Sequence, residues 1–421
     1  MKTSLRSAPA FVLVALPAIA TAQMKSVVTP DRVRFVLSSL AHDSMEGRGT
    51  GTPGSMRAAK FIAEQFRLAG LTPAGDSGYF QHVPMVTRAV DPKSTITVDG
   101  TTLRLGADFA ITAGRSDPRS LDGVQVIYGG IRGDTSAGLT ADQVRGKLVI
   151  FAAAPAATGR RGGPGGGGGG GRPTAPASCR DNPAPPAPSG ARGGGAGGGA
   201  GRGAGRGGMN GGPLAEAAGI ATIEGDQLTP RTVWAAKHNT SAFVKDASGA
   251  GTPATPAAAT VSLTTHAAEV LLGASLASAK TGMTGKTLHS TISFVEKPAL
   301  GGNVVGIIEG VDPVLKNEVV LVDAHYDHLG IAMPAAGSTD SIYNGADDDA
   351  SGTTAVIEIA RAIKAGPAPK RTLVFVATTG EEVGLLGTNW YIAHPVRPLS
   401  QMIANLEIEM MDRPDSLAGG V

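Results

Sequence analysis

The sequence predicts an α/β protein built on a mostly parallel, doubly wound sheet. Three observations carry that expectation. From Asn303 onward, short β-branched runs recur: "VVGIIE", "VVLVDA", "LVFVAT" and "MIANLEIEM". Between the second and third lies "SGTTAVIEIARAIKAG", which reads as a helix with Ser351 as N-cap and Val356, Ile359, Ala360 and Ile363 on one face. Strands alternating with helices give parallel pairings. Finally, the residues with unusual chemistry fall just after these runs, and α/β sheets bind ligands beyond the carboxyl ends of their strands.

The chain has 421 residues and a 42% hydrophobic share, enough for one large domain or two smaller ones. Residues 1–22 read as a secretion signal: Lys2 and Arg6, an apolar run from Ala8 to Ala20, and a cleavage site at Ala20-Thr21-Ala22. The run is too short to span a bilayer, and no later stretch is long enough. An exported, periplasmic or extracellular protein without stable membrane insertion is expected.

Thr29-Pro30 has the form of a helix start, and Val33, Val36, Leu37 and Leu40 then fall on one face. "GRGTGTPGS" (47–55) reads as a loop. A second helix places Ala58, Ile62 and Phe66 together and stops at Gly70. From about 96 to 151, runs such as "STITV" and "VQVIYG" read as strands. A Gly/Arg/Pro-rich segment follows at 159–213, then helix and strand in "LAEAAGIATIEG". That segment carries seven arginines against Asp181, so the rest of the chain is net acidic although the whole is +2. The folded part therefore gives no support for nucleic-acid binding. The segment is expected to be a solvated, disordered insertion. It contains the single cysteine, Cys179, so no internal disulfide is possible.

Four groups carry the chemistry. "VVLVDAHYDHLG" supplies His325 and Asp327, and "NGADDDASG" supplies Asp347, Asp348 and Asp349. "LVFVATTGEEVGLLG" supplies Glu381 and Glu382, and "ANLEIEMMDRPD" supplies Glu407, Glu409 and Asp412. Three consecutive aspartates repel one another, and their own stretch holds no Lys or Arg. One imidazole with several carboxylates suits zinc or a similar divalent cation, and two dications would offset the charge. A Glu-Glu pair can divide the work: one carboxylate binds metal while its neighbour acts as general base on a water. Each piece alone fits solvated loop acids. All four in order, each after an apolar run, do not.

These residues resemble the exported co-catalytic zinc peptidases that include bacterial leucyl-type aminopeptidases, glutamate carboxypeptidase and, more distantly, glutaminyl cyclases. The pattern runs His-x-Asp, Gly-Ala-x-Asp-Asp-x-Ser-Gly, Glu-Glu-x-Gly-x-x-Gly-Ser, Asn-x-Asp-Met and a late His. "GRGTGTPGS", "GYFQHVPM" and "NVVGIIEGVDP" share in the likeness. The resemblance implies two zinc ions in the complete protein, a peptide substrate and hydrolysis through a metal-bridging water. It implies that His325 binds one metal, Asp348 bridges both and Glu382 binds the second. Glu381 becomes the general base, and Asp327 orients the His325 ring. Asp348 and Asp349 are often joined by a cis peptide in that family. The Asp-Met aspartate falls on Glu409; aligning on Asn405 gives Glu407 instead, and Asp412 is a weaker candidate. The resemblance also makes part of the chain a smaller β-rich protease-associated insert. The implied division is 1–22 signal, 23–123 first part of the peptidase domain, 124–290 insert and 291–421 the part with the metal site.

One feature departs from the family. No histidine follows His394, which lies in the wrong order, so the C-terminal part of the sheet and the last ligand are expected to be missing. His328 reads as a local loop residue in preference to a substrate contact. Aminopeptidase activity is the expected function, with a carboxypeptidase or a non-catalytic binding relative of the same fold as alternatives. "GDSG" at 75–78 superficially matches a serine-protease loop, but Tyr79 follows it and no matching His and Asp surround it. His-Glu-x-x-His is absent.

Overall fold

The computed structural model describes residues 27–134, 138–154, 212–238, 241–245, 256–334 and 337–411. The signal-like residues, all but the end of the 159–213 segment, Cys179 and Asp412 lie outside the described residues.

The sheet that positions the site has six strands. Its order is Thr72–Pro73, Gly302–Ile308, Thr372–Thr378, Val319–His325, Met402–Glu407, with Phe80–His82 also on Gly302–Ile308. Val319–His325 runs parallel to both Thr372–Thr378 and Met402–Glu407. Every pairing of Gly302–Ile308 is antiparallel. The sheet is therefore mixed, which corrects the mostly parallel expectation. The reason is connection length. A parallel crossover needs about a dozen residues or more. Only residues 309–318 join Gly302–Ile308 to Val319–His325, with one short 3₁₀ turn at Leu315–Asn317. Long helical connections precede the two parallel pairings.

Alternation along the strands sorts their side chains to two faces. Val304, Val322, Ala324, Phe375 and Ala377 meet the helices Pro30–Leu40, Pro53–Ala69 and Gly352–Ala365, burying Val36, Ile62, Phe66, Val356 and Ala360. Val305, Ile307, Leu321, Val374 and Val376 face the other way, against Tyr391 of helix Leu386–Ala393. The outermost strand Met402–Glu407 leaves Ile403 and Leu406 exposed.

Thr29 caps the first helix through Arg32 N–H, and Gly70, at φ 82°, ends the second, as the sequence predicts. The second helix starts at Pro53, inside the predicted loop. Ser351 stands at the N-cap position of its helix, but its side chain makes no capping hydrogen bond. A π-type turn over Ala346–Ser351 runs into Gly352–Ala365, and Asp349 Oδ1 accepts the Gly352 N–H at 3.0 Å.

A second sheet has eight strands, among them four parallel neighbours: Val124–Ile131, Leu148–Ala152, Gly219–Gly225 and Ala259–Thr264. Thr95–Val98, Thr101–Arg104 and Phe109–Ile111 also hydrogen-bond into it. The expected division between 123 and 124 therefore falls inside this sheet, because long-range antiparallel pairing ties Thr95–Val98 to Thr284–Ser290 and Phe109–Ile111 to Ala259–Thr264. It has its own core around Phe109, Val126, Leu148, Ile150 and Leu263. No described helix is long and apolar enough to cross a membrane.

Candidate metal centre

Val319–His325 ends on His325, whose side chain is buried at the carboxyl edge of the sheet. The ring Nδ1 lies 3.1 Å from the main-chain oxygen of Asp327. Donation there places the proton on Nδ1 and leaves the Nε2 lone pair pointing outward. Among the described residues Nε2 is buried without a hydrogen-bond partner, and it faces Asp348 Oδ1 at 3.2 Å and Glu409 Oε1 at 3.8 Å. A lone pair buried against two carboxylates is a position that suits a cation.

The second half of the site lies around His328. Its Nδ1 sits 2.7 Å from Glu382 Oε1 and 3.9 Å from Asp348 Oδ2. Among the described residues two sets of three therefore offer converging ligand atoms: His325, Asp348 and Glu409, and His328, Asp348 and Glu382. Asp348 belongs to both. The donor chemistry, one imidazole and two carboxylates in each, fits a pair of divalent ions.

His328 is the residue that sequence reasoning missed, since it is more than a local loop residue. The signal was its place three residues after His325. What brings it in is the turn that follows: Gly330–Ile331 pairs with Ile342–Tyr343, folding this segment back toward the aspartates. Gly345 makes the closure possible. It sits at φ 58°, and a Cβ there would meet Asp348 O at 2.3 Å and the His328 ring at 2.5 Å.

The aspartates do not follow an apolar strand of the main sheet, contrary to expectation. They occupy the turn between that small hairpin and helix Gly352–Ala365. Asp348-Asp349 is a cis peptide, as the family resemblance suggested. Asp349 is buried, and its Oδ1 accepts from Gly352 and Met410 N–H. Burial pushes its carboxyl up to about 7, with Glu409 adding to the rise and His325 opposing it.

Asp327 is fully buried, and its carboxylate Oδ1 lies 3.9 Å from the His325 Nδ1. Its oxygens are taken by the Thr50 hydroxyl at 2.5 Å and the Glu381 N–H at 3.1 Å. Asp327 thus ties the "GRGTG" loop to the Glu-Glu turn, and its main-chain oxygen orients His325. Burial raises the Asp327 pKa, although the hydrogen bonds and His325 oppose it.

Glu381 belongs to neither set of three, whereas Glu382 belongs to the second. Their environments push them apart. Burial raises Glu381, reinforced by Glu382, Asp327 and Glu409 against His325. The hydrogen bond with His328 holds Glu382 low, outweighing its burial. Burial works against protonation of His325, but Asp327, Asp349, Glu381 and Asp348 together raise its pKa. Glu407 ends its strand facing Asp323 and joins neither set.

Residues 303–418 match the sequence profile of peptidase family M28. The aminopeptidase YwaD of Bacillus subtilis (strain 168) is 31% identical over 110 residues, which are 26% of this chain and 21% of that protein. The vacuolar membrane protease of Lachancea thermotolerans is 34% identical over 105 residues, 25% of this chain and 10% of its own. The chain thus matches only about a fifth or less of the length of these curated relatives. Among solved structures, BSAP, a zinc aminopeptidase from Bacillus subtilis, aligns with a TM-score of 0.44 at 17% identity, covering 92% of this chain and 71% of that one. The aminopeptidase from Aneurinibacillus sp. strain AM-1 gives 0.42 at 15%, over 91% and 72%. All four sequence groups that carry the candidate chemistry fall within the matched 303–418 segment.

Proposed function

We propose that this chain is an exported zinc-dependent metallopeptidase of aminopeptidase type, removing N-terminal residues from peptides. The observation that carries the reading is the sharing of Asp348 between two sets of metal-ligating residues. His325, Asp348 and Glu409 would hold one ion, and His328, Asp348 and Glu382 the other. A bound dication supplies positive charge that polarises a carbonyl oxygen and makes a water more acidic. The protein's own residues do the rest. The Asp327 carbonyl holds the Nδ1 proton of His325, keeping Nε2 basic. Glu381 accepts the proton of the attacking water at a carboxylate oxygen and delivers it to the leaving amine nitrogen. Its raised pKa suits that exchange. Asp327 positions Glu381 through the main-chain N–H.

Three further parts belong to this reading. Export rests on the basic, apolar and small-residue pattern of 1–22. A doubly wound catalytic unit is supported by helices on both faces of the six-stranded sheet. The protease-associated insert is read as a unit from about 95 to 290, because its sheet takes in the strands from Thr95 onward. The aminopeptidase preference is supported by the similarity to YwaD. The test is hydrolysis of peptides with free, amino-blocked and carboxyl-blocked ends, before and after treatment with a chelator. Cleavage restricted to free amino ends and restored by zinc supports the proposal. Cleavage that needs a free carboxyl end makes the chain a carboxypeptidase, and chelator-resistant cleavage ends the metal reading.

A further inference from the structure

The charge problem posed by the three aspartates has a second answer, and it comes from a distant part of the chain. Arg48, in "GRGTG", is fully buried. A buried guanidinium normally pairs with a carboxylate. Arg48 makes five hydrogen bonds instead, all to main-chain carbonyl oxygens. Nε donates to Tyr326 at 2.7 Å and Nη1 to Leu40 and Asn344 at 2.8 and 2.6 Å. Nη2 donates to Gly345 at 2.7 Å and to Asp348 at 3.4 Å. Its own main-chain oxygen accepts the His328 N–H at 3.2 Å. The Asn344 side chain fastens the same turn to Ala41 and Asp43. The backbone supports the assignment, because Arg48 sits at φ 50°, a left-handed conformation that a non-glycine residue rarely adopts.

This arrangement does two things together. It fixes the turn that carries Asp348 and the start of the turn that carries His328. It also sets a positive charge among Asp327, Asp348, Asp349 and Glu382 while leaving their carboxylate oxygens free of guanidinium hydrogen bonds. A carboxylate bound to Arg48 would be lost as a ligand; a carbonyl bound to it is not.

We propose that Arg48 is the positioning residue of the metal centre, the fixed cation through which the "GRGTG" loop gathers Asp348 and His328 before an ion binds. The inference rests on the metallopeptidase reading above. Lysine keeps the charge but offers a point of three donors instead of a planar fork of five. The experiment compares Arg48→Lys and Arg48→Met with the parent full chain, measuring zinc affinity by chelator competition, thermal midpoint with and without zinc, and kcat against KM. Arg88→Met is the control, since Arg88 is also buried and charged but pairs with Asp117 and Glu296 in the other part of the molecule. Supporting groups behind metal ligands are worth about 10–100-fold in affinity. Arg48→Lys should lose zinc affinity by about 10-fold and Arg48→Met by about 100-fold, and the stabilisation on adding zinc should shrink in the same order. Arg88→Met should lower the midpoint and leave zinc affinity unchanged. If Arg48→Met does not fold, Arg48→Lys decides. Parent-like zinc affinity in a folded Arg48 variant overturns the proposal, and so does failure of both variants to fold, which assigns Arg48 to the core alone. A parent chain that binds no zinc overturns the metal-centre reading itself.

Discussion

Glu381→Gln separates general base from ligand. The change keeps side-chain length and removes only the ability to accept a proton at neutral pH. The Glu381 N–H to Asp327 is main chain and survives it. Neither set of ligands includes Glu381, so both stay complete. Zinc content and thermal midpoint should therefore match the parent. Loss of a general base costs on the order of 10²–10⁴ in rate, equal to about 3–5 kcal/mol of barrier. The upper part of that range is expected, because burial and three neighbouring carboxylates make Glu381 a stronger base than an exposed glutamate. The assay is kcat on an N-terminal p-nitroanilide with zinc measured on the same sample. Glu382→Gln should do the reverse, losing zinc affinity because Glu382 closes on His328 and recovering part of its turnover in excess zinc. If Glu381→Gln loses zinc while Glu382→Gln keeps it, the two roles are exchanged. If Glu381→Gln keeps full turnover, the mechanism is wrong.

Two other outcomes follow from the same geometry. Asp323 is buried in the strand Val319–His325 beside Glu407, and burial pushes its carboxyl up to about 6. Its folded pKa lies above its unfolded one, so the folded state binds the extra proton and stability falls as pH rises from about 4 through 6. Asp323→Asn should thus be more stable than the parent at pH 8 by up to about 3 kcal/mol in denaturant unfolding, with the gain vanishing near pH 4; an equal gain at both pH values contradicts this. Gly345→Ala should weaken zinc binding and lower the thermal midpoint, because its Cβ collides with Asp348 O and the His328 ring at a positive φ; an unperturbed variant would mean that the turn around Asp348 is not close-packed.

Much of this site could be read in the sequence because its ligands follow local patterns. His325, Asp348, Glu382 and Glu409 each sit beside an apolar run or a glycine turn, and the structure places His325 and Glu409 on one side of Asp348, and Glu382, with His328, in a second set around it. Strand and helix positions were legible for the same reason, since Val304 to Phe375 alternate between two buried faces. Strand direction was not. It depended on the short 309–318 connection, whose length forces Gly302–Ile308 to run antiparallel. His328 and Arg48 were hidden for a different reason. His328 acquires meaning only when a small hairpin folds it against Glu382. Arg48 is separated by about 300 residues from the turn it holds, and no periodicity or spacing connects the two. The extent of the second sheet was obscured similarly: Thr95–Val98 pairs with a strand near 290, a contact set by tertiary register.

The most direct test of the account is zinc per chain, by elemental analysis of the dialysed full chain, in the parent, His328→Ala and Asp348→Asn. Asp348 is shared and His328 is not. The account predicts two ions in the parent, one in His328→Ala, and fewer than one in Asp348→Asn. A parent without bound zinc, or an Asp348→Asn chain that still holds two ions, contradicts it.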